Sequence, residues 1–138
     1  MARFYQGHRL THLNEWEAYI WSKWLKEHID EFSGYTYDVH VGTVTKTPKD
    51  WPDAYKRDVA ALSQKRIDVV MEDLDNIYIV EVKDRAYPEC LGRIITYRDS
   101  YIETYSPDKP VKIILVATYI DPDLLRILDG MGIRYFLE

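Results

Sequence analysis

The sequence contains one cysteine, Cys90, among its 138 residues. A single cysteine excludes an intramolecular disulfide and any cysteine-rich zinc or iron–sulfur centre built within one chain. We expect Cys90 to be a small buried helix residue rather than a nucleophile. The four histidines, at positions 8, 12, 28 and 40, show no metal-ligand spacing, so we assign them no catalytic part.

Long apolar runs are also absent, and none approaches the length of a transmembrane helix. The first eight residues lack the hydrophobic segment of a signal peptide, so we expect a cytoplasmic protein without a membrane partner. Positive charge is scarce, and a formal net charge of −5 is unusual for a protein that binds nucleic acid through its overall field. Any nucleic-acid binding would therefore depend on a local basic surface.

The chain does have enough apolar material for a folded core. With 46% hydrophobic and 14% aromatic residues over 138 positions, we expect a single domain across residues 1–138. The apolar patterns alternate between helical and strand periods, which predicts an α/β protein. We predict helices at about residues 11–32, 53–62, 88–105 and 122–130, and strands at 35–43, 67–72, 77–83, 111–118 and 133–137.

Two of these elements have a predicted environment. The strand at residues 111–118 is almost continuously apolar, which is typical of a parallel strand that is covered on both faces, and we expect it to pair with the strand at 77–83. The helix at residues 88–105 has a predicted buried face at helical spacing. That face consists of Leu91, Ile94, Ile95, Tyr101, Ile102 and Tyr105.

The most informative segment is the predicted hairpin, residues 66–83. Side chains alternate between the two faces of a strand, so Asp68, Glu81 and Lys83 share one face of the sheet. The turn allows two registers. If residues 74 and 75 form the turn, Asp68 lies opposite Glu81, whereas a turn at residues 75 and 76 sets Asp68 opposite Lys83.

Two opposed carboxylates repel each other at roughly 5 Å, so Asp68 and Glu81 need a cation or a proton between them. Mg²⁺ is a natural candidate, because it binds one or two protein carboxylates together with substrate phosphate and water. The alternative is a structural ion pair, in which Lys83 neutralises one of the two acids in an ordinary sheet.

The first helix contributes a further acid, Glu17, which lies inside an apolar stripe. That stripe consists of Leu13, Trp16, Ile20, Trp21 and Trp24. A carboxylate among tryptophans is costly to ionise unless it is paired or bound to metal, so we expect Glu17 to point towards the core and to join the same site. The alternative is a glutamate at the edge of the core, bonded to a lysine, a tyrosine hydroxyl or a backbone amide.

A local basic surface is predicted just before the hairpin. Residues 46–66 contain six basic and three acidic side chains, although a solvated loop is the alternative explanation. The basic residues are Lys46, Lys49, Lys56, Arg57, Lys65 and Arg66.

Taken together, these features resemble the PD-(D/E)XK nuclease superfamily, the restriction-endonuclease-like fold, over about residues 15–118. Asp68 corresponds to the first acid of the motif, and Glu17 to the acid that many members carry on the first helix. Glu81, Val82 and Lys83 correspond to the (D/E)XK element. The resemblance implies an αβββαβ core with a mixed central sheet, followed here by a C-terminal αβ extension.

Two groups within that superfamily share short motifs with the chain. Residues 68–70 and 79–83 are similar to the archaeal type of Holliday junction resolvase, which implies a homodimeric Mg²⁺ enzyme. Residues 91–97 are similar to a helix of RecB-like and viral nucleases, although Arg93 stands where those members have glutamine. Ile67 stands where the name motif has proline.

The resemblance implies a metal-dependent DNA nuclease acting in recombination, repair or viral genome processing, with Mg²⁺ or Mn²⁺ and no small-molecule cofactor. Asp68, Glu81 and the Val82 carbonyl would hold the metal, with Glu17 completing the shell directly or through water. Lys83 would orient the attacking water or offset charge on the phosphate. The implied nucleic-acid contacts are Lys56, Arg57, Arg85, Arg93 and Tyr97. The alternative is a catalytically inactive copy of the fold that binds protein or nucleic acid.

Overall fold

The structure is a computed structural model that describes residues 13–42, 47–63 and 65–138. Its elements are α1 (Glu15–His28), β1 (Gly34–Val41), α2 (Asp53–Ser63), β2 (Lys65–Glu72), β3 (Ile77–Ala86), α3 (Glu89–Tyr105), β4 (Val111–Ile120), α4 (Pro122–Met131) and β5 (Arg134–Leu137). The strands lie in chain order in one sheet, antiparallel from β1 to β3 and parallel from β3 to β5. The predicted α/β fold is confirmed. Apart from α2, which lies between β1 and β2, the element order is consistent with a restriction-endonuclease-like core followed by an αβ extension.

Side-chain caps fix where the first and last helices begin. Asn14 Oδ1 accepts the N–H of Glu17 at 2.8 Å, and Glu17 Oε1 accepts the N–H of Asn14 at 3.2 Å, which completes a capping box. α1 therefore begins at Glu15, later than predicted, and residues 11 and 12 lie outside the described residues. The side chain of Asp121 accepts two backbone N–H groups at the start of α4, as its sequence position predicts.

α1 covers one face of the sheet with aromatic side chains. Trp21 and Trp24 stack with ring centroids 5.3 Å apart, and both are almost completely buried. They belong to a core that includes Val80 and Val82 of β3. Trp16 was expected in the same stripe, but it is exposed, because it lies in the first turn of α1, at the rim of the sheet.

α3 and α4 cover the opposite face. Cys90 is buried there beside Ile94, as predicted. The prediction that Ile102 and Tyr105 are buried is wrong, because the last turn of α3 lies over the edge strand β1, where coverage by the sheet ends. The Tyr105 hydroxyl donates a hydrogen bond to the His40 carbonyl of that strand at 2.8 Å.

β4 is the buried parallel strand that its apolar run predicts. It pairs with β3 from Val111 to Ile120, except at Thr118, and the side chains of residues 113–117 are buried. The parallel strands β3 and β4 therefore end at the same edge of the sheet, which is where open α/β sheets bind their ligands. Within the described ranges, no helix is long and apolar enough to span a membrane.

Candidate active site

The two hairpin strands separate at the end remote from their turn. The pairing of β2 with β3 ends at Val69 and Val80, while β2 continues beside β1 and β3 continues beside β4. This is the register with residues 74 and 75 in the turn. Continuing it by one residue sets Asp68 opposite Glu81, at the mouth of the opening between the strands.

The side chain of Asp68 forms a hydrogen bond with β3 at the point where the backbone pairing of β2 with β3 ends. Its Oδ2 accepts a hydrogen bond from the Val82 N–H at 3.1 Å. The pKa of Asp68 is raised to about 6, by burial first and also by the charge of Glu17, against the opposing effects of the Val82 hydrogen bond and of Lys83. The ionised form of Asp68 is therefore disfavoured, and a nearby cation would restore it.

Glu81 is the one buried charged side chain of the described residues, with 3% of its surface exposed. Its Oε1 lies 3.6 Å from Arg93 Nη1, whereas its Oε2 has no hydrogen-bond partner. Burial, followed by the charge of Asp68, raises the pKa of Glu81 to about 8 in spite of the nearby cations. A buried carboxylate oxygen without a partner costs free energy unless a ligand or a proton occupies that position.

Lys83 lies two residues beyond Glu81 on β3, and its charge lowers the pKa of both Asp68 and Glu81. A cavity of about 320 Å³ opens beside these carboxylates. Its lining is largely basic and consists of Lys83, Arg85, Arg93, Tyr87, Glu89 and Cys90. The structure thus brings three predicted cationic residues to one cavity next to the acids.

Arg93 and Tyr97 lie one helical turn apart on α3, and both face the acids. Arg93 Nη1 lies beside Glu81 Oε1, so the charge of this arginine opposes part of the effect of burial on Glu81, and Arg93 also lines the cavity. Burial and then the charge of Glu81 raise the pKa of Tyr97. Both side chains are therefore close enough to act at the same site.

Glu17 is not the deeply buried acid that the apolar stripe predicts. It is half-buried, because the capping box holds it at the first turn of α1. Its Oε2 accepts the N–H of Asp84 on β3 at 3.4 Å, which agrees with the alternative of a core-edge glutamate bonded to backbone amides. Glu17 nevertheless contributes to the raised pKa of Asp68, so it lies within electrostatic range of the acidic pair.

The basic stretch before the hairpin is not gathered at this site. Lys56 Nζ donates to the Lys49 carbonyl at 2.8 Å, and Arg57 is exposed on α2. Neither Lys56 nor Arg57 lines the cavity beside the carboxylates. Lys46, in the same stretch, lies outside the described residues.

The donor set fits a hard divalent cation. The carboxylate oxygens of Asp68 and Glu81 are ligands that Mg²⁺ prefers, and one of them is buried without a partner. In the part of the chain that the structure describes, no three histidine, cysteine, aspartate or glutamate side chains are grouped so that they could hold an ion by themselves. The residues therefore suit a cation whose remaining ligands are water and substrate.

β1 contributes a feature that the sequence analysis missed. The register of β1 with β2 skips the pair formed by Asp38 and Asp68. Asp38 has a φ of 59°, in the left-handed region, and its Oδ2 lies 3.9 Å from Arg66 Nη1. Aspartate adopts this conformation more readily than most residues, so an aspartate inside a run of strand formers was the available signal. The sheet is thus irregular on both sides of Asp68.

The fold is similar to that in the crystal structure of a repair endonuclease from Pyrococcus abyssi, with a TM-score of 0.51 and 17% sequence identity. The match covers 95% of this chain and 49% of that one, so this chain spans about half the length of the endonuclease. At this identity the likeness establishes a nuclease-like fold. No protein-family model and no curated protein sequence matches the chain.

Proposed function

We propose that the protein is a metal-dependent nuclease that hydrolyses phosphodiester bonds of DNA. One observation carries the proposal: Glu81 Oε2 is buried without a hydrogen-bond partner, and the charge of a second carboxylate, Asp68, acts on Glu81 at the point where two strands separate. Such an arrangement is unfavourable in a purely structural role, because two acids are desolvated without full compensation. A cation bound there would compensate the desolvation of the two acids.

The nuclease-like fold supports the choice of DNA as substrate. The similar structure is that of a repair endonuclease, and its name supplies the reaction class for this proposal. The three cationic residues of the cavity beside the acids, Lys83, Arg85 and Arg93, suit a phosphodiester backbone despite the net charge of −5.

In this proposal Asp68 and Glu81 would hold Mg²⁺ or Mn²⁺, with the Val82 carbonyl as a third ligand. Glu17 would act through water, because both of its oxygens already accept backbone N–H groups. When bound, the ion supplies Lewis acidity and lowers the pKa of a bound water. Asp68 is held for this task by the Val82 N–H, which fixes one of its oxygens.

Lys83 and Arg93 have separate roles in the proposed reaction. Lys83 orients the attacking water or offsets negative charge that develops on the phosphate. Arg93, whose Nη1 lies 3.6 Å from Glu81 Oε1, would contact a phosphate oxygen of the substrate. Tyr97 lies within reach of the same strand of DNA, whereas Lys56 and Arg57 would contact a more distant part of the substrate.

The superfamily resemblance suggests one shape for the DNA substrate. A homodimer that cuts four-way junctions in recombination or repair is the form suggested by the resolvase-like motifs. A two-fold dimer would present two copies of the site to a two-fold junction. Light scattering of the protein with and without a four-way junction measures the number of protein copies in the free and the bound state.

The second candidate function is a catalytically inactive module that binds protein or nucleic acid. The observation in its favour is the ion pair between Arg93 and Glu81, which already provides a positive charge for the buried acid. In that case Arg93 is a permanent structural partner, and neither Mg²⁺ nor Mn²⁺ binds.

The test uses purified protein with Mg²⁺ or Mn²⁺ and a labelled panel of four-way junction, flap, single-stranded and duplex DNA. Cation binding is measured in parallel by calorimetry. Glu81→Ala removes the proposed ligand. Glu103→Ala is the matched control, because Glu103 is an exposed residue of α3 that does not line the cavity. A chelator is added to a parallel set.

We expect cation-dependent cutting that is lost in Glu81→Ala and retained in Glu103→Ala. A folded protein that binds neither cation and cuts none of the substrates contradicts the nuclease and favours the inactive module. Cutting that survives both Glu81→Ala and the chelator would assign the reaction to other residues.

A further inference from the structure

A second cavity, of about 380 Å³, lies at the carboxyl ends of β3 and β4. We call it the aromatic cleft. Its lining residues are Trp16, Asp84, Arg85, Tyr87, Thr118 and Tyr119. The volume is near the lower end of the roughly 300–1,000 Å³ of clefts that hold small ligands, so it has room for a nucleobase.

The three aromatic side chains of the cleft are exposed. Trp16, Tyr87 and Tyr119 have 46%, 41% and 43% of their surfaces accessible. Large rings that remain this accessible contribute little to the core, and aromatic residues clustered on a surface are typical of binding sites. The rings of Tyr87 and Tyr119 lie 6.0 Å apart, so they form one continuous surface.

Specific contacts hold this surface in position. Trp16 Nε1 donates a hydrogen bond of 2.8 Å to Thr118 Oγ1, and the Trp16 ring stacks on Tyr19 with centroids 5.3 Å apart. Tyr119 sits directly across from Arg85 in the β3–β4 register. The indole is therefore fixed before any ligand arrives, which lowers the entropy lost on binding.

The aromatic cleft is continuous with the candidate active site. Arg85 and Tyr87 line both the aromatic cleft and the cavity that holds Lys83 and Arg93. One side of Arg85 thus faces the cationic residues beside the acids, and the other faces the rings. Asp84 adds a negative charge to the cleft, so the binding surface for the phosphates lies on the Arg85 side.

We propose that the aromatic cleft binds unpaired nucleotides of the DNA strand whose phosphate lies beside Lys83 and Arg85. Nucleic-acid proteins bind single strands by combining a basic groove with aromatic rings on which bases stack. Bases inside a duplex are already stacked and offer no free face, so exposed rings at the cleavage site favour a single-stranded or splayed segment. This inference rests on the proposed nuclease function and narrows its substrate to DNA with unpaired nucleotides next to the cut.

The test measures binding rather than cutting, with the full chain in a chelator. Fluorescence anisotropy compares an oligothymidine, a blunt duplex and a duplex with a single-stranded tail. Tyr119→Leu removes a ring from the cleft but keeps an apolar side chain. Tyr55→Leu is the matched control, because Tyr55 is an exposed tyrosine that pairs with Trp51 on the α2 side of the chain and lies outside the cleft.

We expect the oligothymidine and the tailed duplex to bind about tenfold more tightly than the blunt duplex, as loss or gain of one stacked base predicts. Tyr119→Leu should remove that preference and leave duplex binding unchanged, and Trp16→Ala should do the same. Tyr55→Leu should behave like the parent protein. Melting curves of each variant verify that the fold is retained.

Failure of this inference is distinguishable from failure of the nuclease. If the parent cuts DNA but Tyr119→Leu binds every substrate as Tyr55→Leu does, the aromatic cleft does not bind nucleotides, and the nuclease stands. If Tyr119→Leu loses single-strand binding but no cation-dependent cutting is found, the cleft stands without the nuclease. Absence of binding to all three DNAs overturns the inference. The inference is also overturned if the cleft binds a protein instead of DNA and Tyr119→Leu abolishes that binding.

Discussion

The two ends of the β2–β3 hairpin carry acidic side chains in opposite environments. At the turn, Asp73 Oδ1 accepts the N–H groups of Asp75 and Asn76, and its Oδ2 accepts the Tyr78 hydroxyl at 2.8 Å. At the other end, the Asp68 carboxylate accepts the Val82 N–H, and Glu81 Oε2 has no partner. The same pair of strands thus holds one satisfied carboxylate and two that are poorly satisfied.

The pKa values follow this contrast. For Asp73, burial acts to raise the pKa, but the hydrogen bonds from Tyr78, Asn76 and Asp75 outweigh it, so the pKa is lowered. For Asp68 and Glu81, burial dominates and the pKa values are raised. The carboxylate at the turn therefore stabilises the fold as an anion, whereas the pair at the opening is stable as anions only with added positive charge.

This difference teaches where to look for a site in a sheet of this kind. Where β2 and β3 are fully paired, backbone groups satisfy one another, and the carboxylate of the turn is used to close the hairpin. Where the strands separate, the Asp68 side chain accepts a backbone N–H in place of the missing ladder, and its charge acts on the buried Glu81. We expect functional chemistry at the opening between the strands, because the desolvation of Asp68 and Glu81 there costs free energy and does not stabilise the fold.

The largest expected effect is on activity at the opening. Asp68→Asn keeps an oxygen that accepts the Val82 N–H but removes the charge, so we expect cation-dependent cleavage to fall by at least about 100-fold. Cleavage rates under saturating Mn²⁺, with melting curves alongside, measure this. A variant that cuts at the parent rate would separate Asp68 from catalysis.

At the turn we expect the opposite result, a loss of stability without a loss of activity. Asp73→Ala removes the acceptor of three hydrogen bonds that close the hairpin, so we expect it to lower the free energy of unfolding by about 1–2 kcal/mol. Cleavage by the folded fraction should equal that of the parent. Urea unfolding curves give the first quantity, and the comparison fails if Asp73→Ala loses activity while remaining as stable as the parent.

The smallest expected effect is a change in the pH dependence of stability. The pKa of Glu81 is raised from 4.5 to about 8, so its contribution to stability is fully present below its unfolded pKa and is lost as the pH rises through about 8. Glu81→Gln cannot ionise. The metal-free parent should therefore lose several degrees more in Tm than Glu81→Gln between about pH 5 and about pH 8.

Thermal melts in a chelator at both pH values test this expectation. Glu103→Gln, which removes an exposed carboxylate, should follow the parent. Parallel pH profiles for the parent and Glu81→Gln would mean that Glu81 is ionised in the metal-free protein, with Arg93 as a sufficient partner.

Most of the fold was predictable from local patterns. The apolar run of β4, the N-cap of Asp121 and the pairing of the two hairpin strands depend on neighbours within a few residues, and the structure confirms them. The errors fall where an element reaches the rim of the sheet. Helical spacing puts Trp16 and Tyr105 on apolar faces, but spacing contains no information about where the partner sheet ends.

The sequence by itself determined that Asp68 lies on one strand of a hairpin and Glu81 and Lys83 on the other, because apolar runs on both sides of a tight turn favour a hairpin. Only the tertiary structure decided which acids would have a raised pKa. The separation of β2 from β3, the pairing of Arg93 with Glu81 and the contact of Glu17 with the Asp84 N–H depend on packing between different elements of the fold. Burial and electrostatic coupling are properties of that packing, so no local pattern could have fixed them.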